Sequence, residues 1–314
     1  GFDLRMFQDR LTFGMDWYKK ETKDLIMTSP VGSASVGNTL SPLNAGNVMN
    51  RGFEFDLGWH DNIGDFSYGI NGNLSTLKNE VTYVYETLTR VAGTSGGAGV
   101  TTYFEKGYPI WYMRGYEYTG PDATTGYPTF KDQNGDNVIN DDDKVMIGSG
   151  IPDITYGVTL TMGWKGLDLV VFANGTSGNE INYAVPRATR NQANTLKYFY
   201  DNRWTSSNTS ATYPGASMLN GHNYNEYCQS SALVFDGSYF KIKQIQLGYT
   251  LPKNLIQKIK LSNLRVYMSL DDWFLFTKYP GFDPEVSLAG NGLGLDYGQY
   301  PTTKKMVFGF NITF

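Results

Sequence analysis

The end of the chain constrains its fold most. Met306, Phe308, Phe310, Ile312 and Phe314 alternate with Val307, Gly309, Asn311 and Thr313, so that successive side chains fall on opposite faces of an extended strand. The pattern returns at Phe53, Phe55, Leu57 and Trp59 against Glu54, Asp56 and Gly58, where the second face carries charge. It appears again at Leu11, Phe13, Met15 and Trp17, at Ile154 to Trp164, and at Leu264, Val266, Met268 and Leu270. Period-two segments of this kind build strands, and a strand with one apolar and one charged face needs a different medium on each side.

About nine such strands are expected, starting near Phe2, Leu11, Val48, Phe66, Ile154, Leu167, Ser238, Leu261 and Pro301. Around Gln244 the apolar phase slips from Phe240 and Ile242 to Ile245, Leu247, Tyr249 and Leu251, which predicts a bulge. Tight turns near Gln8-Asp9, 61–64 and Lys165-Gly166, and a moderate connection at 252–260, alternate with long ones at 28–47, 78–150, 176–235 and 271–300.

Outer-membrane barrels have short turns on the periplasmic side and long loops outside. The fold class expected is therefore all-β, a transmembrane antiparallel β-barrel with long extracellular loops at 78–150 and 176–235 and a periplasmic C-terminus. Mean hydropathy is −0.36, which suits a barrel as well as a water-soluble protein, because lipid-facing and lumen-facing residues average out along each strand. A β-sandwich or propeller would also alternate. It accounts less well for the charges gathered opposite the apolar face, namely Asp3, Arg5, Asp16, Glu54, Asp56, Lys241, Lys243, Arg265 and Lys305.

Composition narrows the function. One cysteine and two histidines among 314 residues argue against a disulfide scaffold, a zinc site or a histidine-based triad, and Cys228 reads as a small buried or loop residue. His60 and His222 share no motif, and Ser230-Ser231 lacks a nucleophile elbow, so no enzyme is expected. A net charge of −4 without a basic stripe gives no support for nucleic-acid binding. No secretion signal precedes the first strand, so one is expected upstream of Gly1.

Two groups of residues are candidate sites. Asp132, Asn134, Asp136, Val138, Asn140 and Asp143 occupy positions 1, 3, 5, 7, 9 and 12 of an EF-hand-like loop, whose hard oxygen donors suit a structural Ca²⁺. Position 6 is Asn137 instead of glycine and position 12 is aspartate instead of glutamate, and an Asx-rich turn capping itself would need no metal. No organic cofactor is expected. The second group is aromatic: Trp111, Tyr112 and Tyr116 in one long loop and Trp204 and Tyr213 in the next could contact substrate or partner, or pack the loops together. Trp17, Trp59 and Trp164 are expected in an interfacial girdle, and Asp271-Asp272 among solvated loop charges.

Several ordered segments resemble the SusC-like, TonB-dependent outer-membrane transporters of Bacteroidetes. They are YPIWYMRGYEYTG from Tyr108, DQNGDNVINDDDKVMIGSGIPDITYG from Asp132, NRWT from Asn202, DGSYFKIKQIQLGYTLPK from Asp236, YPGFDPEVS from Tyr279 and YPTTKKMVFGFNITF from Tyr300. The resemblance implies that 1–314 is the C-terminal part of a barrel of about 22 strands, within the range such barrels span. It implies a plug domain N-terminal to these residues, contact with TonB-ExbB-ExbD through that missing part, and a SusD-like surface lipoprotein as partner. The function it implies is active import of oligosaccharides or peptides across the outer membrane. A passive porin or a surface adhesin would share the barrel features.

Overall fold

The structure is a computed structural model that describes residues 1–28, 42–85, 88–95, 99–186, 194–215, 223–285 and 288–314. Its wall begins with β1 (Phe2–Met6), β2 (Leu11–Thr28), β3 (Pro42–Ile63) and β4 (Phe66–Thr76). The next connection contains β5 (Lys78–Val84), β6 (Arg90–Ser95), β7 (Thr101–Glu105), β8 (Tyr112–Tyr116), β9 (Tyr118–Pro121), β10 (Pro128–Phe130) and β11 (Lys144–Gly148). The wall resumes with β12 (Ile154–Trp164) and β13 (Leu167–Ser177). After them come β14 (Glu180–Tyr183), α1 (Lys197–Asp201), α2 (Tyr224–Cys228) and β15 (Val234–Asp236). The chain finishes with β16 (Tyr239–Thr250), α3 (Lys253–Ile256), β17 (Asn263–Thr277), β18 (Leu295–Asp296) and β19 (Lys305–Thr313).

The wall is one antiparallel sheet in the order β1-β2-β3-β4-β12-β13-β16-β17-β19, with β5 alongside the upper half of β3. Its nine strands are those expected from the alternation. Register carries the apolar face across the whole sheet: Phe13 lies opposite Leu57, Leu57 opposite Gly72, Gly72 opposite Val158 and Val158 opposite Ala173. On the far side Leu169 faces Leu247, Leu247 faces Met268 and Met268 faces Phe308. That face is uncovered, with Phe308 71% exposed, Trp17 59% and Leu247 47%. In water a patch of this extent would aggregate, whereas against hydrocarbon it needs no cover. On β12 the apolar face runs without a break from Ile154 to Trp164. That is about 34 Å of strand, or about 26 Å of height at a tilt near 40°, matching the apolar band of outer-membrane barrels. No helix among the described residues is long and apolar enough to cross a membrane.

The predicted bulge is present. Phe172 pairs with Gln244 and Ala173 with Ile242, leaving Lys243 over, while across the other edge Ile242 faces Phe274 and Gln244 faces Asp271. Two boundaries differ from the sequence reading. β3 begins at Pro42 and β17 continues to Thr277, so both strands run into what the sequence marks as loop. Beyond the apolar band the side chains no longer alternate, but backbone pairing continues, and periodicity cannot see it. Trp17 consequently sits within β2, where the apolar face gives way to Lys19 and Lys20, and Trp164 closes β12 at the opposite border.

Short turns and long connections fall at opposite ends of the sheet because every neighbouring pair of wall strands is antiparallel. The buried core lies among the long connections. One cluster joins Ile181, Tyr183, Phe199, Tyr213, Tyr227, Leu233 and Tyr279, another Val81, Val91 and Phe104, and a third Val100, Met113 and Leu295. These connections therefore form a folded cap, with a four-stranded sheet β11-β8-β7-β6 and a three-stranded sheet β15-β14-β18. Such packing supplies the apolar burial that irregular loops lack.

Candidate functional site

The face opposite the apolar one is predominantly polar. Asp3, Gly14, Asp56, Asn73, Gly157, Asn174 and Lys241 form one continuous row across seven strands. Lower in the wall, Arg265 on β17 reaches over β16 to Asp168 on β13, its Nε donating to Oδ1 at 2.9 Å and Nη2 to Oδ2 at 2.5 Å. Gly248 on the intervening strand leaves room for this fork, since a Cβ there would come within 2.4 Å of Arg265 Nη2 and 2.6 Å of Asp168. Two parallel charge-assisted bonds fix both side chains and tie three strands together on the polar side.

At the bulge the same face gathers charge. Lys241 is 1% exposed, and its Nζ lies 3.2 Å from Asp283 Oδ2, 2.9 Å from Glu285 Oε2 and 3.6 Å from Asp272 Oδ1, with Thr302 Oγ1 also in contact. Lys243 pairs with Asp272 at 2.8 Å and Glu285 at 3.0 Å. A buried ammonium persists only when its lost hydration is replaced by such partners. Asp272 is thus a largely buried strand residue with a φ of +59°, and the reading of Asp271-Asp272 as solvated loop charges is corrected. The bulge explains the difference: it turns Asp272 toward two lysines that sequence spacing places on another strand.

The Asp132–Asp143 loop is closed by its own backbone. Asp132 accepts from Gly135 N and Asn137 N, Asn134 from Asp136 N, Asp136 from Val138 N, and Asn140 from Asp142 N. Asp143 is fully buried and accepts from Gln133 N at 2.8 Å and Asn140 N at 2.9 Å. Those amides, Asn140's first, hold its carboxyl below the usual range. Asn137 takes the left-handed turn at φ +64° that position 6 demands. A carboxylate oxygen engaged by one N–H keeps further lone-pair capacity, but among the described residues no three His, Cys, Asp or Glu side chains are grouped to hold a metal, and the bonds seen at Asp132, Asn134, Asp136, Val138, Asn140 and Asp143 are those of a self-capped Asx-rich turn.

The aromatic candidates separate by burial. Tyr112 is 2% exposed, stacks on Tyr108 at 4.5 Å between centroids and donates to Glu105 Oε2 at 2.5 Å. Tyr116, 5% exposed, packs on Phe130 under Lys144, and burial pushes its hydroxyl up to about 12. Tyr213 lies edge-on to Phe199 at 4.9 Å inside the cap core. These three are covered by the chain's own cap, and a further partner can only cover them more. Trp111 and Trp204 are half-buried: Trp111 packs on Phe104, and Trp204 lies over Gly126 while its Nε1 donates to Ala123 O. The five do not converge on one pocket. His222 lies outside the described residues, and His60 faces the polar side of β3.

Residues 1–142 match the family described as TonB dependent receptor-like, beta-barrel. The whole chain superposes on a solved structure titled as the RagAB peptide transporter, with a TM-score of 0.80 over 98% of this chain and 34% of that one, at 25% identity. Its first 142 residues thus match a TonB-dependent receptor-like β-barrel. Along its full length the chain is 29% identical to TonB-dependent receptor P3 of Formosa agariphila and 26% identical to TonB-dependent receptor SusC of Bacteroides thetaiotaomicron. It covers 33% and 31% of those proteins, so it spans about a third of their length.

The sequence reading missed the residues that hold cap and wall together. Lys241 is far in sequence from Asp283, Glu285 and Thr302, and only the lysine pair within FKIKQ hinted at the cluster, as charges in a strand that the lumen alone does not require. Tyr279 and Asp296, joined at 2.5 Å and both buried, gave no local signal.

Proposed function

We propose that the full protein is an energised importer of the outer membrane, to which this chain contributes the C-terminal arc of the wall and the cap above it. One observation carries the reading: the same nine strands turn a continuous apolar face of bilayer height one way and a charged face the other, with every long, folded connection at one end. In that setting the cap is extracellular and Phe314 ends in the periplasm. Substrate is selected by noncovalent contacts with cap and lumen, and the protein makes or breaks no covalent bond. Oligosaccharides or peptides are the proposed cargo, the peptides in keeping with the RagAB peptide transporter on which the chain superposes. The proposed partners are a SusD-like lipoprotein over the mouth and TonB-ExbB-ExbD through an N-terminal plug region. A structural Ca²⁺ held by Asp132, Asn134, Asp136, Val138, Asn140 and Asp143 would brace the cap.

The test is purification of the full-length protein from outer membranes in mild detergent, with mass spectrometry of what accompanies it, alongside growth on candidate glycans and peptides. Co-purification of a surface lipoprotein in near-equal amount, with growth that needs both this protein and TonB, supports the importer. A protein that purifies alone and supports growth without TonB is a passive porin, and one whose loss leaves growth unchanged is an adhesin.

A further inference from the structure

We infer that the connection between β17 and β19 is a strap that locks the cap to the polar side of the wall, making this part of the mouth a fixed rim. Opening and closing must then be carried by other segments or by a partner. The word mouth rests on the importer reading, but the locking is a property of the fold and is tested without any substrate.

The strap is anchored at three levels. Its lower anchor is the Lys241 cluster, where Asp283 and Glu285 from the strap meet two wall lysines and Thr302 N donates to Asp283 Oδ2 at 3.1 Å. Because Lys241 lies in the same polar row as Asn174 and Asp56, the strap folds inward over the rim to reach it. The middle anchor joins the second long connection. Asn182 N donates to Gly294 O and Ala184 N to Asp296 O, both at 2.8 Å, and β18 pairs parallel to β14. Tyr279, from the strap's start, closes on Asp296 within the aromatic core.

The upper anchor joins the first long connection. Thr102 Oγ1 donates to Asn291 O at 2.5 Å, Thr94 Oγ1 to Asn291 Oδ1 at 2.7 Å, and Tyr297 Oη to Ser95 O at 2.8 Å. Leu295, fully buried, packs with Val100 and Met113. Gly150 and Gly294 touch backbone to backbone, for a Cβ on Gly150 would lie 2.6 Å from Gly294 N and from the Leu293 carbonyl. One segment therefore contacts both large connections and the wall. A lid made from the first connection would have to break its hydrogen bonds and packed apolar cluster with the strap, and one made from the second its backbone pairing with it, while buried ion pairs hold the strap itself to the wall; bistable gates are drawn from less tightly held segments.

The experiment is hydrogen–deuterium exchange of the full-length protein in lipid nanodiscs, resolved by peptide mass spectrometry, for the wild type and Lys241→Met. The wild type is expected to protect Asn182 and Ala184 as strongly as the wall strands β12 and β13. Lys241→Met leaves three carboxylates around a single lysine, and is expected to raise exchange at Asn182, Ala184 and Thr102 together by at least about tenfold, with β12 and β13 unchanged. Should Lys241→Met fail to fold, Tyr279→Phe removes one hydroxyl from the cap and is read at the same amides. Faster exchange confined to the strap, or a wild type in which Asn182 and Ala184 exchange freely, overturns the inference.

Discussion

Arg265 and Asp168 are joined by a two-bond fork that passes over Gly248, so the polar face of the wall is cross-linked across a strand that contributes no side chain to the link. Arg265→Met or Asp168→Asn is expected to cost about 1 kcal/mol, since both side chains stay partly in contact with lumen water. Gly248→Val pushes the two apart and strains three strands, at about 1–3 kcal/mol. Urea unfolding of the barrel, followed by its heat-modifiable mobility on gels, ranks the three. A Gly248→Val barrel as stable as wild type would remove the role given to that glycine.

The apolar face makes a prediction of opposite character. Leu247→Arg places a charge on the exposed face of β16, amid Leu169, Val171 and Met268, and is expected to destabilise the barrel in a bilayer by about 2–4 kcal/mol. Thr159→Arg, on the polar face of β12, is expected to be tolerated. Equal effects on the folded fraction in lipid vesicles would mean that the two faces are wrongly assigned.

Cys228 reports on the cap. It is 1% exposed, and burial pushes its thiol up to about 12. The thiolate is the reactive form, and at pH 8 a thiol with that value is ionised to about one part in ten thousand. Iodoacetamide at pH 8 is expected to leave Cys228 unmodified in the native protein and to label it on unfolding. A raised folded value means that the protonated thiol is the form the cap favours. Its contribution is therefore complete below the unfolded value near 8.5 and is lost as pH rises through about 12. Native labelling within minutes at pH 8 would place Cys228 elsewhere than in the core.

The calcium proposal is checked by metal analysis of the full-length protein after gel filtration, with and without a chelator. About one equivalent of calcium retained by the wild type and lost in Asp132→Ala, together with faster proteolysis at 132–143 after chelation, is the expected result. A loop equally protected without metal is a self-capped Asx turn.

Alternation alone determined the nine wall strands, which face is apolar, the bulge near Gln244 and the placement of all long connections at one end. It could do so because a lipid-facing strand must satisfy the same rule at every second residue, and a rule that repeats along one strand can be read from one strand. Past the apolar band that rule lapses, and β3 and β17 outrun their expected ends for that reason. What lies above the wall was decided only in three dimensions. Tyr112, Tyr116 and Tyr213 read equally well as contact or packing residues until burial placed them inside the cap, and Asp272 read as a surface charge until the bulge turned it toward Lys241 and Lys243. Lys241 meets Asp283, and Thr102 meets Asn291, across separations of 42 and 189 residues. No local periodicity encodes such pairs, because they exist only once the folded connections have brought distant backbone to one rim.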